Sequence, residues 1–398
     1  MGTICGSGSA TAADTVEAVE QAIDDARPRL GETRPTLGLL FVSPVHDLAR
    51  ALRAARKRLA GIDWLGCTTA GEITELGLTQ GGVSTFLIGW GDASHRLDAV
   101  RPLQGAANGI AKELAARCAA LLEGERGAGR THLASLLLGD GLHPGFEALI
   151  AEIRRVVPGH QTLVGAGAGD DGALARTFVG TFVGTGESAL EGGVTALHVA
   201  SSRGWGVGIG QGVTPSSDRM TVTRSVGNVV YELDEQPALA VFAEYARARG
   251  DAFDPAAPGA YLVQNELGIY FFDDIVRVRA GIGLTADGGV RYAGEVPEGA
   301  SVAVVRGEPL GLIAAARGAA ERARAALDGP AAGVLLFSCV TRGTILGERY
   351  PEEIRAIVDV FGRGVPLAGF LSYGEVARVK DKLDGYHNHT VVVAAIPE

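Results

Sequence analysis

The sequence predicts an α/β fold: mixed β-sheets covered by helices, built from about three related units of strand, helix, strand, glycine turn and strand, set in two lobes. Three observations carry that prediction. Apolar runs of strand length alternate with amphipathic helical stretches. The same order of elements recurs three times along the chain. Each recurrence contains a glycine-hinged turn: WLGCTTAGEI (64–73), TLVGAGAGDD (162–171) and PLAGFLSYGEV (366–376).

In the first unit the strand LGLLFVSP (37–44) is followed by HDLARALRAARKRL (46–59), whose apolar residues recur at helical spacing with basic residues on the other face. The second unit has ASLLLGD (134–140) and then GFEALIAEIRRVV (145–157). The third has GVLLFSC (333–339) and then PEEIRAIVDVF (351–361), with Pro351 at the helix start. After each turn comes another apolar strand, GGVSTFLIGW (81–90), GGVTALHVAS (192–201) and HNHTVVVAAI (387–396), and a helical segment precedes each unit. A strand, a helix and a parallel strand make a crossover. The stretch 219–234 and the region 261–306 read as short alternating strands, with a turn at Asp287-Gly288-Gly289. A Pro/Ala/Gly-rich stretch marks a boundary near residues 235–260, with two units before it and one after.

Composition bounds the function. The 398 residues are about two domains' worth of chain. Hydrophobic content of 46% and mean hydropathy of +0.18 place them among compact proteins. The 58 glycines are about twice the usual share and argue for tight turns and close backbone approaches. A net charge of -10, with no basic cluster, argues against a nucleic-acid partner. Cys5, Cys67, Cys118 and Cys339 lie far apart, which indicates neither a zinc site nor a disulfide framework and suits a reducing compartment. The N-terminus has no signal-peptide pattern, the myristoylation pattern fails at Gly6, and no apolar run reaches membrane-spanning length. The expectation is a cytoplasmic protein with no membrane partner.

The glycine turns supply the candidate site. The first and third share the spacing G-x4-G-E, at Gly66, Gly71, Glu72 and at Gly369, Gly374, Glu375; the second, Gly165, Gly169, Asp170, is one residue shorter. In α/β sheets ligands bind at the carboxyl ends of strands. There, glycines such as Gly167 and Gly169 bring backbone N–H groups to a ligand, while Cys67, Thr68, Thr69, Ser372 and Tyr373 add polar side chains. The alternative is that such turns fit a sharp reversal, with the acid capping a backbone N–H. None of the three is a dinucleotide or P-loop fingerprint. If the units pack around a common centre, Glu72, Asp170, Asp171 and Glu375 converge and favour a cation or ammonium group. Arg342, just past a strand end, suits a carboxylate, so together they describe an amino-acid-like ligand.

Other residues leave further chemistry open. Cys339 with His387 or His389 would form a thiol–imidazole pair, against the commoner role of cysteine as a small core residue. Cys67 is a second candidate nucleophile. His387 and His389 project to one face of a strand, a geometry open to metal or haem ligation as well as to structural hydrogen bonding. Asn388 lies between them.

With these residues assembled, the chain resembles the FIST-domain family. The likeness rests on WLGCTTAGEI and LVGAGAGDD, then on LLFSCVTRG, LAGFLSYGEV and YHNHT, with QPALAVFAEY and VPEGASVAVV in order between them. It runs from about residue 35 to the end. The resemblance implies a FIST N-terminal-like domain over 1–235 with two units and a FIST C-terminal-like domain over 236–398 with the third. It also implies a sensory protein of signal transduction that binds a small molecule, with amino acids among the ligands. With the pocket lined by the three glycine turns and the HNHT strand, the candidate ligand-binding set is Cys67, Thr68, Thr69, Gly71, Glu72, Gly167, Gly169, Asp170, Asp171, Cys339, Arg342, Ser372, Tyr373, Gly374, Glu375, His387 and Asn388. A haem-binding, nitric-oxide-sensing branch keeps haem open through His387 and His389. The family's final motif usually reads His-Asn-Gln-Thr, and His389 stands here in place of the glutamine. Relatives often carry an output domain; in this chain the signalling output protein would act in trans.

Overall fold

The computed structural model describes residues 2–104, 107–156, 162–378 and 384–398, with Asp384 described by its backbone alone. The three units appear as expected and share one plan. The first comprises β1 (Ile4–Ala10), α1 (Thr15–Ala26), β2 (Leu37–Val42), α2 (Leu48–Arg58), β3 (Asp63–Thr68), the hairpin β4 (Glu72–Thr74) and β5 (Gly77–Thr79), and β6 (Val83–Gly89). The second runs through β7 (Ala93–Leu97), β8 (Arg101–Pro102), α3 (Ala107–Glu125), β9 (His132–Asp140), α4 (Gly145–Val156) and β10 (Thr162–Ala168). It continues in the hairpin β11 (Phe178–Val183) and β12 (Gly186–Glu191) and ends in β13 (Gly193–Ser201).

The third unit opens with β14 (Gly206–Gly210) and is then interrupted. An inserted nine-stranded sheet holds β15 (Val213–Pro215), β16 (Met220–Val226), β17 (Val229–Leu233), β18 (Gln236–Pro237), β19 (Glu266–Phe271), β20 (Asp274–Arg279), β21 (Gly281–Leu284), β22 (Val290–Tyr292) and β23 (Ser301–Gly307). Two helices, α5 (Ala238–Arg249) and α6 (Gly259–Gln264), belong with it. The unit resumes with α7 (Pro309–Ala325), β24 (Ala331–Cys339), α8 (Val340–Leu346), α9 (Tyr350–Phe361), β25 (Leu367–Ser372), the hairpin β26 (Glu375–Arg378) and β27 (Asp384–His387), and β28 (Val391–Pro397). Residue 235 falls between β17 and β18 of the insert.

The sheets show how the units combine. The first sheet has the order β1-β6-β2-β3-β11-β12, the second β7-β13-β9-β10-β26-β27, and the third β14-β28-β24-β25-β4-β5. Each is a four-stranded frame from one unit, extended in the second by β8 paired to β13, and closed at one edge by the hairpin that follows another unit's glycine turn. The second unit's hairpin completes the first sheet, the third completes the second, and the first completes the third. This cyclic exchange covers an edge that each sheet would otherwise expose.

The inner faces of the three sheets meet in a shared core containing Phe41, Phe86, Leu136, Val164, Phe337 and Phe370. The outer faces carry the helices: α1 and α2 on the first sheet, α3 and α4 on the second, α7 and α9 on the third. Glycines allow close strand–helix approach where the chain needs it; a Cβ at Gly208 of β14 would lie 1.9 Å from the carbonyl oxygen of Ala319 in α7. Among the described residues no helix is long and apolar enough to cross a membrane.

Candidate functional site

The three glycine turns do converge, and they bind one another. Ala70 N–H donates to Leu371 O at 2.9 Å, and Leu371 N–H to Gly71 O at 2.8 Å. Tyr373 N–H donates to Gly167 O at 3.0 Å and Gly167 N–H to Gly374 O at 2.8 Å. Gly169 N–H and Asp171 N–H reach Thr68 O and Thr69 O at 2.9 and 3.0 Å. These backbone donors are therefore satisfied by protein. A Cβ at Gly167 would stand 2.3 Å from Tyr373 O, and one at Gly169 would stand 2.7 Å from Ala70 N. The glycines are there because three backbones pass through one point.

The acids lock each turn to its return strand. Thr69 Oγ1 donates to Glu72 Oε1 at 2.5 Å, and Gly82 N–H to Oε2 at 3.0 Å. In the third unit Ser372 Oγ donates to Glu375 Oε1 at 2.7 Å, and Thr390 supplies both its N–H, at 3.2 Å, and its hydroxyl, at 2.7 Å, to Oε2. Burial pushes both carboxyls up to about 8. The shorter second turn differs: Asp170 accepts the N–H groups of Leu174, Ala175 and Arg176 and the hydroxyl of Tyr373 at 2.5 Å. Asp171, on the exposed loop, is bound by Ser43, and burial and then Asp170 raise its carboxyl. Glu72 and Asp171 are near enough to repel, but each acid is engaged by its own donors.

Arg342 is fully buried and engaged. Its Nη2 lies 2.6 Å from Glu353 Oε2 and also donates to Leu312 O, while Nε donates to Glu353 Oε1 and Nη1 to Gln211 O. Ser338 Oγ also binds Glu353. The guanidinium thus ties α8 to α9, to the end of β14 and to α7. Burial, with Glu72 next, pushes the Cys67 thiol well up; burial, with Glu375 next, does the same to Cys339. Cys339 contacts Thr341 at 3.5 Å, and neither thiol is poised as a nucleophile.

The YHNHT segment sits where the third unit meets the inserted sheet. His387 pairs with Glu375 in the β26–β27 ladder. His389 lies in the turn before β28, with Nδ1 2.6 Å from Glu266 Oε2 at the start of β19. Its carbonyl oxygen is 3.5 Å from Arg342 Nη1, whose other acceptor is Gln211 O. Gln211 Nε2, Glu266 Oε1, His389 Nε2 and Asn388 Oδ1 are buried and find no hydrogen-bond partner among the described residues.

The backbone marks the same place. Sheet register matches Gly81 of the first unit and Gly192 of the second to His389 of the third. All three have positive φ: 72° and 64° at the glycines and 62° at His389. A side chain in that left-handed conformation costs about 1–2 kcal/mol. The third unit carries an imidazole where the frame accommodates glycine.

Comparison with known proteins agrees with this arrangement. Residues 36–236 match the FIST N domain and residues 238–378 the FIST C domain. The chain belongs to the FIST family. It is 28% identical over 388 residues to an uncharacterised protein of Mycobacterium tuberculosis, covering 94% of each chain. An uncharacterised protein of Mycobacterium bovis is 26% identical over 404 residues, covering 98% of this chain and 97% of the relative. FIST domains are associated with sensory modules of signal transduction.

In this FIST chain the histidines do not fit haem as arranged. A haem-ligating imidazole must point a nitrogen into a space of porphyrin size. His389 Nδ1 faces Glu266, and Nε2 lies against Gly307, where a Cβ would come within 2.7 Å of it. His387 is 1% exposed. A groove of about 580 Å³ lies elsewhere, at the opposite strand ends, lined by Thr3, Cys5, Arg29, Ala332 and Pro366.

Three residues of the junction carry no motif. Glu266, in NELGIY, reads as the edge of an ordinary strand, and Gln211 as part of a glycine-rich connection. Glu353 is one of two acids in the first turn of α9. An acid at the head of a short apolar strand is the one cue that could have singled out Glu266.

Proposed function

We propose that this FIST protein is a cytoplasmic sensory module that takes a small, amine-bearing polar ligand, of amino-acid type, at the junction between the third unit and the inserted sheet. The observation that supports it most is the Glu266–His389 pair. Glu266 Oε1 and His389 Nε2 are buried without hydrogen-bond partners among the described residues, as is the Nε2 of Gln211, whose backbone carbonyl accepts from Arg342. Buried polar atoms left unpaired cost about 1–3 kcal/mol each, and native proteins rarely leave them so. A ligand with an ammonium group for Glu266 and an acceptor for Gln211 satisfies those two residues.

This reading moves the recognition chemistry away from the interlocked turns. Cys67, Thr68, Thr69, Gly71, Glu72, Gly167, Gly169, Asp170, Ser372, Tyr373, Gly374 and Glu375 act as the frame beneath it. Arg342 and Cys339 brace the wall, His387 and Asn388 carry His389, and Asp171 stays on the rim. Because the junction joins two separately packed bodies, a ligand held by both favours their closed arrangement, and that differential affinity is the signal a partner protein reads in trans.

The test is native mass spectrometry of the freshly purified protein, followed by thermal-shift measurements against the proteinogenic amino acids and simple amines. A retained small mass, or a saturable rise in Tm with one class that is lost in Glu266→Gln, is expected. No retained mass and no shift across that panel contradicts the proposal.

A further inference from the structure

A separate cluster lies in the second unit. Cys118, on the buried face of α3, places Sγ 3.1 Å from His198 Nδ1 on β13. His198 Nε2 is 3.3 Å from Asp98 Oδ2 and 3.8 Å from the same sulfur. Ser135 Oγ of β9 is 2.8 Å from the same Nδ1 and 3.7 Å from the sulfur. Arg117, next to Cys118 on α3, binds Asp98, and Arg96 approaches it at 3.8 Å. Cys118 is 4% exposed and His198 and Asp98 are 1% exposed. The sulfur lies against the imidazole, close to both ring nitrogens, and Asp98 holds the same ring.

The charges agree with that geometry. Burial by itself discharges an imidazole, but hydrogen bonds and charge from Asp98 and Cys118 outweigh it and raise His198 to about 9. These contacts favour the protonated ring. An imidazolium in contact with a sulfur stabilises the thiolate. The other three cysteines have the opposite surroundings: burial pushes Cys5 up, burial and Glu72 push up Cys67, and burial and Glu375 push up Cys339.

We propose that Cys118 is a peroxide-reactive thiol, a redox modification site in which His198, held by Asp98, keeps the sulfur as thiolate. The oxidant is a hydroperoxide, and hydrogen peroxide, close to water in size, suits a sulfur that is nearly closed from solvent. The thiolate attacks the terminal oxygen, an S–O bond forms and the O–O bond breaks. Sulfur is oxidised by two electrons to sulfenic acid. The peroxide is reduced, and the departing hydroxide takes the proton from His198 Nδ1 and leaves as water. The loss of the thiolate removes the anionic partner of His198 at the contact between α3 and the sheet.

The experiment treats the full chain with substoichiometric hydrogen peroxide at neutral pH, unfolds it in dimedone and iodoacetamide, and maps all four cysteines by mass spectrometry. Dimedone on Cys118, at least tenfold ahead of Cys5, Cys67 and Cys339, is expected. His198→Gln and Asp98→Asn should each slow that labelling at least tenfold. Cys118→Ser should remove thiolate ultraviolet absorbance present in the wild type at neutral pH. Labelling spread evenly over the four cysteines, or none at Cys118, overturns the proposal in the wild-type protein alone. A rate unchanged in a folded His198→Gln or Asp98→Asn variant overturns the role given to the imidazolium.

Discussion

The first and third units are built on the same turn and end in different chemistry. Thr69, Glu72 and Gly82 in one repeat the hydrogen bonds of Ser372, Glu375 and Thr390 in the other. Both acids are raised to about 8 by the same burial. Four residues past the register-matched Val42 and Ser338 stand His46 in the first unit and Arg342 in the third. Yet the first unit closes on Gly81 and an imidazole touching Thr15, whereas the third closes on His389, Glu266 and the Arg342–Glu353 pair. What repeats is the frame; what the third unit adds is the candidate for recognition.

That division can be broken at several points. The largest effect should come from the buried ion pair. Glu353→Ala leaves Arg342 charged and unpaired and should cost about 3–5 kcal/mol in urea unfolding. His46→Ala at the matched position should cost about 2 kcal/mol or less; equal losses would mean that the third unit is not specially braced. Next come the hinge glycines. A Cβ at Gly374, where φ is 95°, would fall 2.1 Å from Tyr386 Oη; at Gly71, where φ is 140°, it would fall 2.9 Å from the movable Leu78 Cδ1. Gly374→Ala should therefore cost about 2–4 kcal/mol and Gly71→Ala about half as much.

Smaller effects test the shared part. Glu72 and Glu375 have folded-state values above the ordinary 4.5, so the folded chain holds protons that the unfolded chain releases. Their stabilisation is full below about 4.5 and is lost as the pH rises through about 8. The unfolding free energy from denaturant titrations should fall across that window by on the order of 1 kcal/mol per acid or more. Glu72→Gln and Glu375→Gln should each remove a similar share of the slope, and a slope lost in only one variant would break the equivalence. Smallest of all, Asp171→Asn on the exposed loop should change stability by about 0.5 kcal/mol or less.

Much of this frame was legible in the sequence. Each unit's apolar strands and amphipathic helices write their own periodicity, so their order could be read without knowing how they pack. The exchange of hairpins could not, because residues 72–79 specify a hairpin but not which sheet edge receives it. The glycine-rich strands ICGSGSA (4–10) and GVGIG (206–210) escape a strand reading because glycine weakens strand propensity. The structure uses that missing Cβ to seat α1 and α7 on them: a side chain at Gly8 would meet Ala22 O at 2.3 Å. The matched turns suggested convergence, but their mutual backbone hydrogen bonds depend on three distant segments. Arg342 was visible as a fork; its occupation by Glu353 was not. Glu266 and Gln211 gain meaning only when the inserted sheet is folded against the third unit.

The place of recognition is tested most directly by a calorimetric titration of wild type, Glu72→Gln and Glu266→Gln with the amino acid or amine that raises Tm most. Glu72→Gln should bind as the wild type does, and Glu266→Gln at least tenfold more weakly. Binding lost in Glu72→Gln and kept in Glu266→Gln would place the ligand at the glycine turns and contradict the assignment to the junction.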